Sequence, residues 1–200
     1  MEITAALVKK LRDQTGAGMM ECKAALTEAK GSLDEATTIL RKRGLAQASK
    51  KAGRSTNEGL IGSYIHMGGK IGVLVEINCE SDFVARTDDF QGMAREIAMH
   101  IAAASPTYVR REEVPADVLE RERAIYRAQM EGQNKPAQVI DKIVEGKLNS
   151  FYEQVCLMDQ PSIRDPKITI GQLVQSAIAK LGENIAVPRF VRFKLGEEAS

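Results

Sequence analysis

The chain has 200 residues, 44% hydrophobic and 28% charged, with 28 Lys plus Arg against 27 Asp plus Glu. This is the composition of a soluble globular protein of one or two domains, and its near-neutral total argues against a general nucleic-acid binder, whose basic charge must displace phosphate counterions. The total conceals an asymmetry, because residues 1–54 carry 11 basic and 6 acidic side chains whereas residues 55–200 carry 17 and 21.

The expectation is therefore a small basic domain over residues 1–54 joined to a larger, mildly acidic one over 55–200. No apolar stretch approaches the ~20 residues needed to cross a bilayer, so no membrane association is expected. The N-terminus carries Glu2 and lacks a small-residue cleavage site after an apolar core. It does not read as a secretory signal, and a cytoplasmic location is expected. Cys22, Cys79 and Cys156 lack CxxC spacing, which fits reduced thiols, although one exposed cysteine is able to link two chains.

In chain order, Thr4 can cap a helix bearing Leu7, Val8 and Leu11 that stops at Gly16. Met19, Cys22, Leu26 and Ala29 repeat at helical spacing as far as Gly31. Ser32-Leu33-Asp34-Glu35 matches the S-x-x-E capping box of a third helix, with Ala36, Ile39 and Leu40 on one side and Gly44 as its C-cap candidate. A short extension then runs into an exposed linker near residue 55. Three short helices make a small bundle, marginal alone by surface-to-volume scaling.

From Leu60 the hydrophobic period changes from 3.6 to 2. LIGSYIHM and KIGVLVEIN read as strands joined across Gly68-Gly69, which places Leu60, Tyr64 and His66 on one face with Ile71, Val73, Val75 and Ile77. Phe90, Ala94, Ile97 and Ile101 form a helical stripe that ends before Ser105-Pro106. Residues 114–152 contain two charged helical stretches split by Gly132-Gln133-Asn134-Lys135-Pro136, a projecting helical hairpin expected to pack as a coiled coil with an imperfect heptad pattern. Thr169 to Gln172 opens another helix, stopped by Gly182. Pro188 introduces a last strand over Arg189–Leu195, with Val191, Phe193 and Leu195 alternating against Arg192 and Lys194. The sum is an α+β fold: an N-terminal three-helix bundle, then a core with a three-stranded antiparallel sheet covered by helices on one side.

Catalytic signatures are missing from this pattern. There is no Walker-type GxxxxGKS or GxxxxGKT run, and Gly68, Gly69 and Gly72 lie inside a hairpin instead of between a strand and a helix. His66 and His100 have no partner at metal-ligating spacing and read as structural. Paired carboxylates at Asp88-Asp89, Glu112-Glu113 and Glu197-Glu198 sit at helix starts or in solvated runs. An acid/base dyad needs environments that push two pKa values apart. No enzyme, metal or cofactor is expected. Aromatic content is 4% with no Trp, and the basic clusters Arg41-Lys42-Arg43 and Lys50-Lys51 lack interleaved aromatics for base stacking. They read first as a solvated helix end, and no direct nucleic-acid contact is expected.

One segment stands out. Glu80-Ser81-Asp82-Phe83-Val84-Ala85-Arg86 puts a large aromatic beside an acid in a strand-to-helix turn, where an exposed aromatic can anchor a partner. The competing reading places Phe83, seven residues before Phe90, on the same helix face and packs it inward. Spacing alone favours the inward reading.

Taken as a string, ITAALVKKLRDQTGAGMMECKAALTEAKGSLDEA closely resembles the N-terminal module of the bacterial elongation factor Ts family, with TGAGMMECKAAL as its most specific part. The similarity continues through KKAG at Lys50–Gly53, GSYIHMGGKIGVLVEINCESDFVART, VEGKLNSFYEQVCLMDQP and the terminal FVRFKLGE, and so covers nearly the whole chain. The resemblance implies a UBA-like helical domain, a core of the dimerisation type, and a guanine-nucleotide exchange factor whose partner is elongation factor Tu. In that family a Thr-Asp-Phe-Val turn enters the GTPase and disturbs its Mg²⁺ site. The matching residues are Ser81, Asp82, Phe83 and Val84, with Ser keeping the hydroxyl of Thr. The N-terminal module is implied to dock on the GTPase, with Lys9, Arg12, Met19 and Met20 as candidates. The rival reading puts at least one of the two methionines in the bundle core. The chain resembles the short form of the family, so homodimerisation is an expectation. The alternative function is an RNA-associated translation protein using the basic N-terminal face.

Overall fold

The computed structural model describes residues 3–130 and 136–197. Gly132, Gln133, Asn134 and Lys135, expected to split the hairpin, lie outside the described residues. Among those described are eight α-helices and a three-stranded antiparallel sheet of order β1-β2-β3, an α+β fold. No helix among them is long and apolar enough to cross a membrane.

Helices α1 (Ala5–Thr15), α2 (Met19–Glu28) and α3 (Leu33–Lys51) start and stop on local chemistry. The Thr4 hydroxyl accepts from the Leu7 N–H, the Ser32 hydroxyl from the Glu35 N–H, and Gly16 ends α1 at φ 68°, a conformation that costs glycine little. The bundle core is Val8, Leu11, Cys22, Ala25, Leu26, Ala29 and Ala36. Helix α3 continues through Gly44 to Lys51, so Gly44 is not its C-cap. Its missing side chain serves another purpose, because a Cβ there would stand 3.3 Å from the Ala179 Cβ. Arg41-Lys42-Arg43 accordingly falls in mid-helix, and Arg43 pairs with Glu28 at 2.6 Å.

Strands β1 (Glu58–Ile65) and β2 (Ile71–Cys79) form the expected hairpin, with the His66 N–H donating to the Ile71 carbonyl at 2.9 Å and Gly68 and Gly69 both at positive φ. Val73, Val75, Ile77 and Cys79 are buried along one face of β2. Strand β3 (Ala186–Lys194) begins before Pro188, not after it. Proline is tolerated there because β3 is an edge strand, where a missing N–H breaks no second ladder. The expected alternation in β3 is present, with its apolar residues on the exposed side. Val191, Phe193 and Leu195 are exposed, whereas the Arg192 side chain is mostly buried and donates from Nε to the Ala102 carbonyl.

The chain groups into two compact units, one formed by Met1–Ile61, Glu76–Ala94 and Leu173–Val187, the other by Gly62–Val75, Arg95–Gln172 and Pro188–Ser200. In the first, the segment just after α3 is tied to distant parts of the chain: Arg54 pairs with Glu80 at 3.4 Å, and Asn184 Nδ2 donates to the Arg54 carbonyl at 2.9 Å. In the second, α6 (Ala116–Ala128) and α7 (Ala137–Val155) run antiparallel as the helical hairpin, joined by Arg127–Asp141 at 3.1 Å and Arg123–Glu145 at 3.7 Å. Both ion pairs are solvent-exposed, and such pairs contribute at most about 1 kcal/mol. The firmer anchors are the buried Val144 and Leu148.

Helices α5 (Asp88–Ala104) and α8 (Ile170–Leu181) bury Phe90, Ala94, Val174 and Ile178 in the first unit and Ile97, Ile101 and Ile170 in the second. The start of α8 is a reciprocal capping box: the Gln172 N–H donates to the Thr169 hydroxyl, and the Thr169 N–H to the Gln172 side-chain oxygen, each at 3.2 Å. All three cysteines are free and buried. The expected route to a linked pair of chains through an exposed thiol is therefore closed.

Candidate functional site

The segment after β2 forms a single helical turn, α4 (Asp82–Ala85), separate from α5. Ser81 is its N-cap, the hydroxyl accepting from the Val84 N–H at 3.4 Å. Thr87 then marks the break: its hydroxyl donates to the Val84 carbonyl at 2.8 Å and accepts from the Phe90 N–H at 3.3 Å. The two helices are thus out of phase, and the seven-residue spacing from Phe83 to Phe90 does not put them on one face. Phe90 is fully buried, whereas Phe83 is 77% exposed.

The turn is anchored from below by Val84 and Ala85, which are buried. Asp82 points out with Phe83 and pairs with Arg86 across one turn at 2.8 Å, both side chains being well exposed. A second support comes from the turn after α8. Glu183 Oε2 accepts from the Glu80 N–H at 3.1 Å and from the Ser81 N–H at 3.0 Å, while Oε1 accepts from the Ser81 hydroxyl at 2.6 Å. In return Glu80 Oε1 accepts the Asn184 N–H at 2.6 Å. That bond, opposed by partial desolvation and assisted by Arg54, holds the Glu80 carboxyl below its ordinary pKa. The Cys79 thiol donates to the Ser81 carbonyl at 3.1 Å, and burial together with the Glu183 charge pushes its pKa up. The thiol stays neutral, as a structural donor should.

Of the four residues in the expected turn, the structure brings all together but divides their surroundings. Asp82 and Phe83 face solvent, Ser81 is committed to capping and to Glu183, and Val84 is interior. An exposed phenyl ring on a turn held by Ser81 on one side and by the buried Val84 and Ala85 on the other is the geometry of a preformed binding anchor. Glu183 and Asn184 were not singled out by the sequence, because no local pattern links them to a turn about a hundred positions upstream.

The N-terminal candidates are also surface residues. Lys9 and Arg12 are exposed on α1; Met19 is 46% and Met20 76% exposed at the start of α2. Neither methionine belongs to the bundle core, which leaves the core reading of this pair without support. Met20, Lys23, Ala24, Thr27 and Glu28 line an open, shallow depression on α2. The connection between α1 and α2 is set by Thr15, whose hydroxyl donates to the Leu11 carbonyl at 2.7 Å, and by Glu21, whose carboxylate accepts from the Gly18 N–H at 3.3 Å.

Comparison with known proteins decides the family. The family model described as Elongation factor TS matches residues 2–197. The chain belongs to the elongation factor Ts family. Among its relatives, elongation factor Ts of Fervidobacterium nodosum is 62% identical over 197 residues, covering 98% of this chain and 100% of that protein. Elongation factor Ts of Solibacter usitatus is 60% identical over 196 residues, covering 98% and 92%. That of Geobacter sulfurreducens is 60% identical over 197 residues, covering 98% and 91%. Membership in the elongation factor Ts family makes this protein a translation elongation factor.

Proposed function

We propose that the protein is the guanine-nucleotide exchange factor of elongation factor Tu, and that it acts by binding instead of by bond chemistry. It engages the Tu·GDP complex and inserts Phe83 beside the nucleotide site. Tu's own Mg²⁺ would supply positive charge beside the GDP phosphates, so an element that displaces its ligands would remove a large local charge stabilisation. GDP leaves, and Tu is free to take up GTP. Phe83 is the apolar wedge, Asp82 its acidic neighbour, and Ser81 and Val84 hold the turn. The observation that carries this reading is a large aromatic ring 77% exposed on a capped, anchored turn.

The domain division at residues 1–54 and 55–200 is a division of labour in this account. The basic N-terminal domain docks on the GTPase through Lys9, Arg12, Met19 and Met20, and the core delivers the wedge in the cytoplasm, where translation proceeds. The exposed sheet residues Ile65, Leu74, Val191 and Phe193, continued by Met67 and Leu195 at the strand ends, suit a second copy of the chain, because exposed apolar surface of this extent marks an association face.

Substoichiometric protein added to Tu loaded with labelled GDP is expected to release the label in multiple turnovers, and a sizing measurement at working concentration to give a dimer. Absence of release refutes the exchange reading. Tight, steeply salt-dependent RNA binding without Tu would instead support the RNA-associated alternative.

A further inference from the structure

We infer that Glu183 is a positioning residue for exchange: its carboxylate fixes the turn that presents Asp82 and Phe83. This rests on the reading above, in which that turn enters the GTPase. Helix α4 is four residues long, and one helical turn has no intrinsic stability, since closing it orders several dihedrals for a single hydrogen bond. Its shape has to be imposed from outside. Val84 and Ala85 anchor its underside, whereas the direction in which β2 enters the turn is set upstream of both, at the backbone of Glu80 and Ser81.

Glu183 supplies that direction. Its two oxygens accept three hydrogen bonds from two consecutive residues, the Glu80 and Ser81 N–H groups and the Ser81 hydroxyl. Bonds to an ionised acceptor are shorter and stronger than neutral ones. The Ser81 hydroxyl has one proton, and the 2.6 Å bond assigns it to Glu183, which leaves its lone pairs for the Val84 N–H. The helix cap is therefore oriented by Glu183. Glu80 accepting from the Asn184 N–H at 2.6 Å closes a reciprocal clasp between the two turns. With the turn held in its presenting conformation before contact, less ordering entropy opposes insertion. Without Glu183 only a fraction of molecules display the ring correctly, and the observed rate falls by that fraction.

The test compares Glu183→Ala, Glu183→Gln and Phe83→Ala in the full chain, reading stopped-flow release of labelled GDP from Tu well below each unfolding midpoint. Glu183→Ala is expected to lower the maximal release rate roughly tenfold, the scale of losing hydrogen bonds to a charged acceptor. The half-saturating concentration should change little, because the N-terminal domain still docks, and amide exchange over residues 81–85 should accelerate. Glu183→Gln restores most of the rate: its amide oxygen accepts the backbone N–H groups and its amide N–H donates to the Ser81 oxygen. If Phe83→Ala slows release and Glu183→Ala does not, the positioning role is wrong while the wedge stands. If Phe83→Ala has no effect, the wedge itself fails and this role with it. Should Glu183→Ala not fold, Ser81→Ala takes its place, with several-fold slower release expected and an unchanged rate overturning the inference.

Discussion

Replacing Phe83 by alanine separates function from stability with unusual clarity, because the ring is already in water in the free protein. A phenylalanine side chain presents about 200 Å², and with 77% of it exposed roughly 50 Å² is buried within the chain itself. At about 25 cal/mol per Å² the truncation costs the fold only about 1 kcal/mol. The remaining surface, about 150 Å², would be worth at most about 4 kcal/mol on insertion, and costs of association reduce that to about 2–3 kcal/mol. Because about 1.4 kcal/mol corresponds to a factor of ten, Phe83→Ala should slow catalysed GDP release by roughly 30- to 150-fold. Single-mixing fluorescence of labelled GDP measures the rate, and urea denaturation of the same sample measures the stability. A folded Phe83→Ala variant that releases GDP within threefold of the parent would refute the wedge argument.

Other expectations concern docking, packing and pH. Met20→Asp, which places a charge beside the depression on α2, should raise the half-saturating concentration for Tu about tenfold and leave the maximal rate unchanged, as a concentration series would show. Gly44→Val should destabilise the protein by about 1–3 kcal/mol through overpacking, since even a Cβ at this position meets the Ala179 Cβ at 3.3 Å; the urea midpoint reads it directly. His100 is fully buried between the Gln160 side chain at 2.9 Å and the Ile163 N–H, and burial lowers its pKa below 6.5, against opposing effects of Gln160 and Glu96. The unfolded chain takes up that proton first, so this contribution is intact above pH 6.5 and is lost as the pH falls below it. Thermal midpoints measured from neutral to mildly acid pH should decline accordingly, and His100→Gln should flatten that part of the profile.

Elements governed by neighbouring residues were legible in the sequence. Thr4, Ser32 and Gly16 mark the ends of α1 and α3 by hydrogen bonds that span three or four positions, and Gly68-Gly69 sets the hairpin register by its own backbone freedom. Features governed by distant contacts were not. Gly44 looks like a helix stop until Ala179 is seen against it. Val191, Phe193 and Leu195 announce a strand, but a period of two gives no indication of which face is interior, and here the long Arg192 side chain goes inward to the Ala102 carbonyl. Spacing alone misplaces Phe83 for a related reason: its interval to Phe90 assumes one continuous helix, and Thr87 interrupts it. The turn itself could be found from its residues, whereas Glu183, which holds it, is brought there only by the fold.

The central claim is that this protein and GDP weaken each other's hold on Tu, and linkage makes that claim quantitative. The decisive measurement is a four-sided binding cycle by calorimetry: the affinity of Tu for this protein with and without bound GDP, and for GDP with and without this protein. GDP is expected to lower the affinity of Tu for the protein, the protein to lower the affinity of Tu for GDP, and the two factors to be equal. Binding to Tu that is indifferent to the nucleotide would contradict that claim.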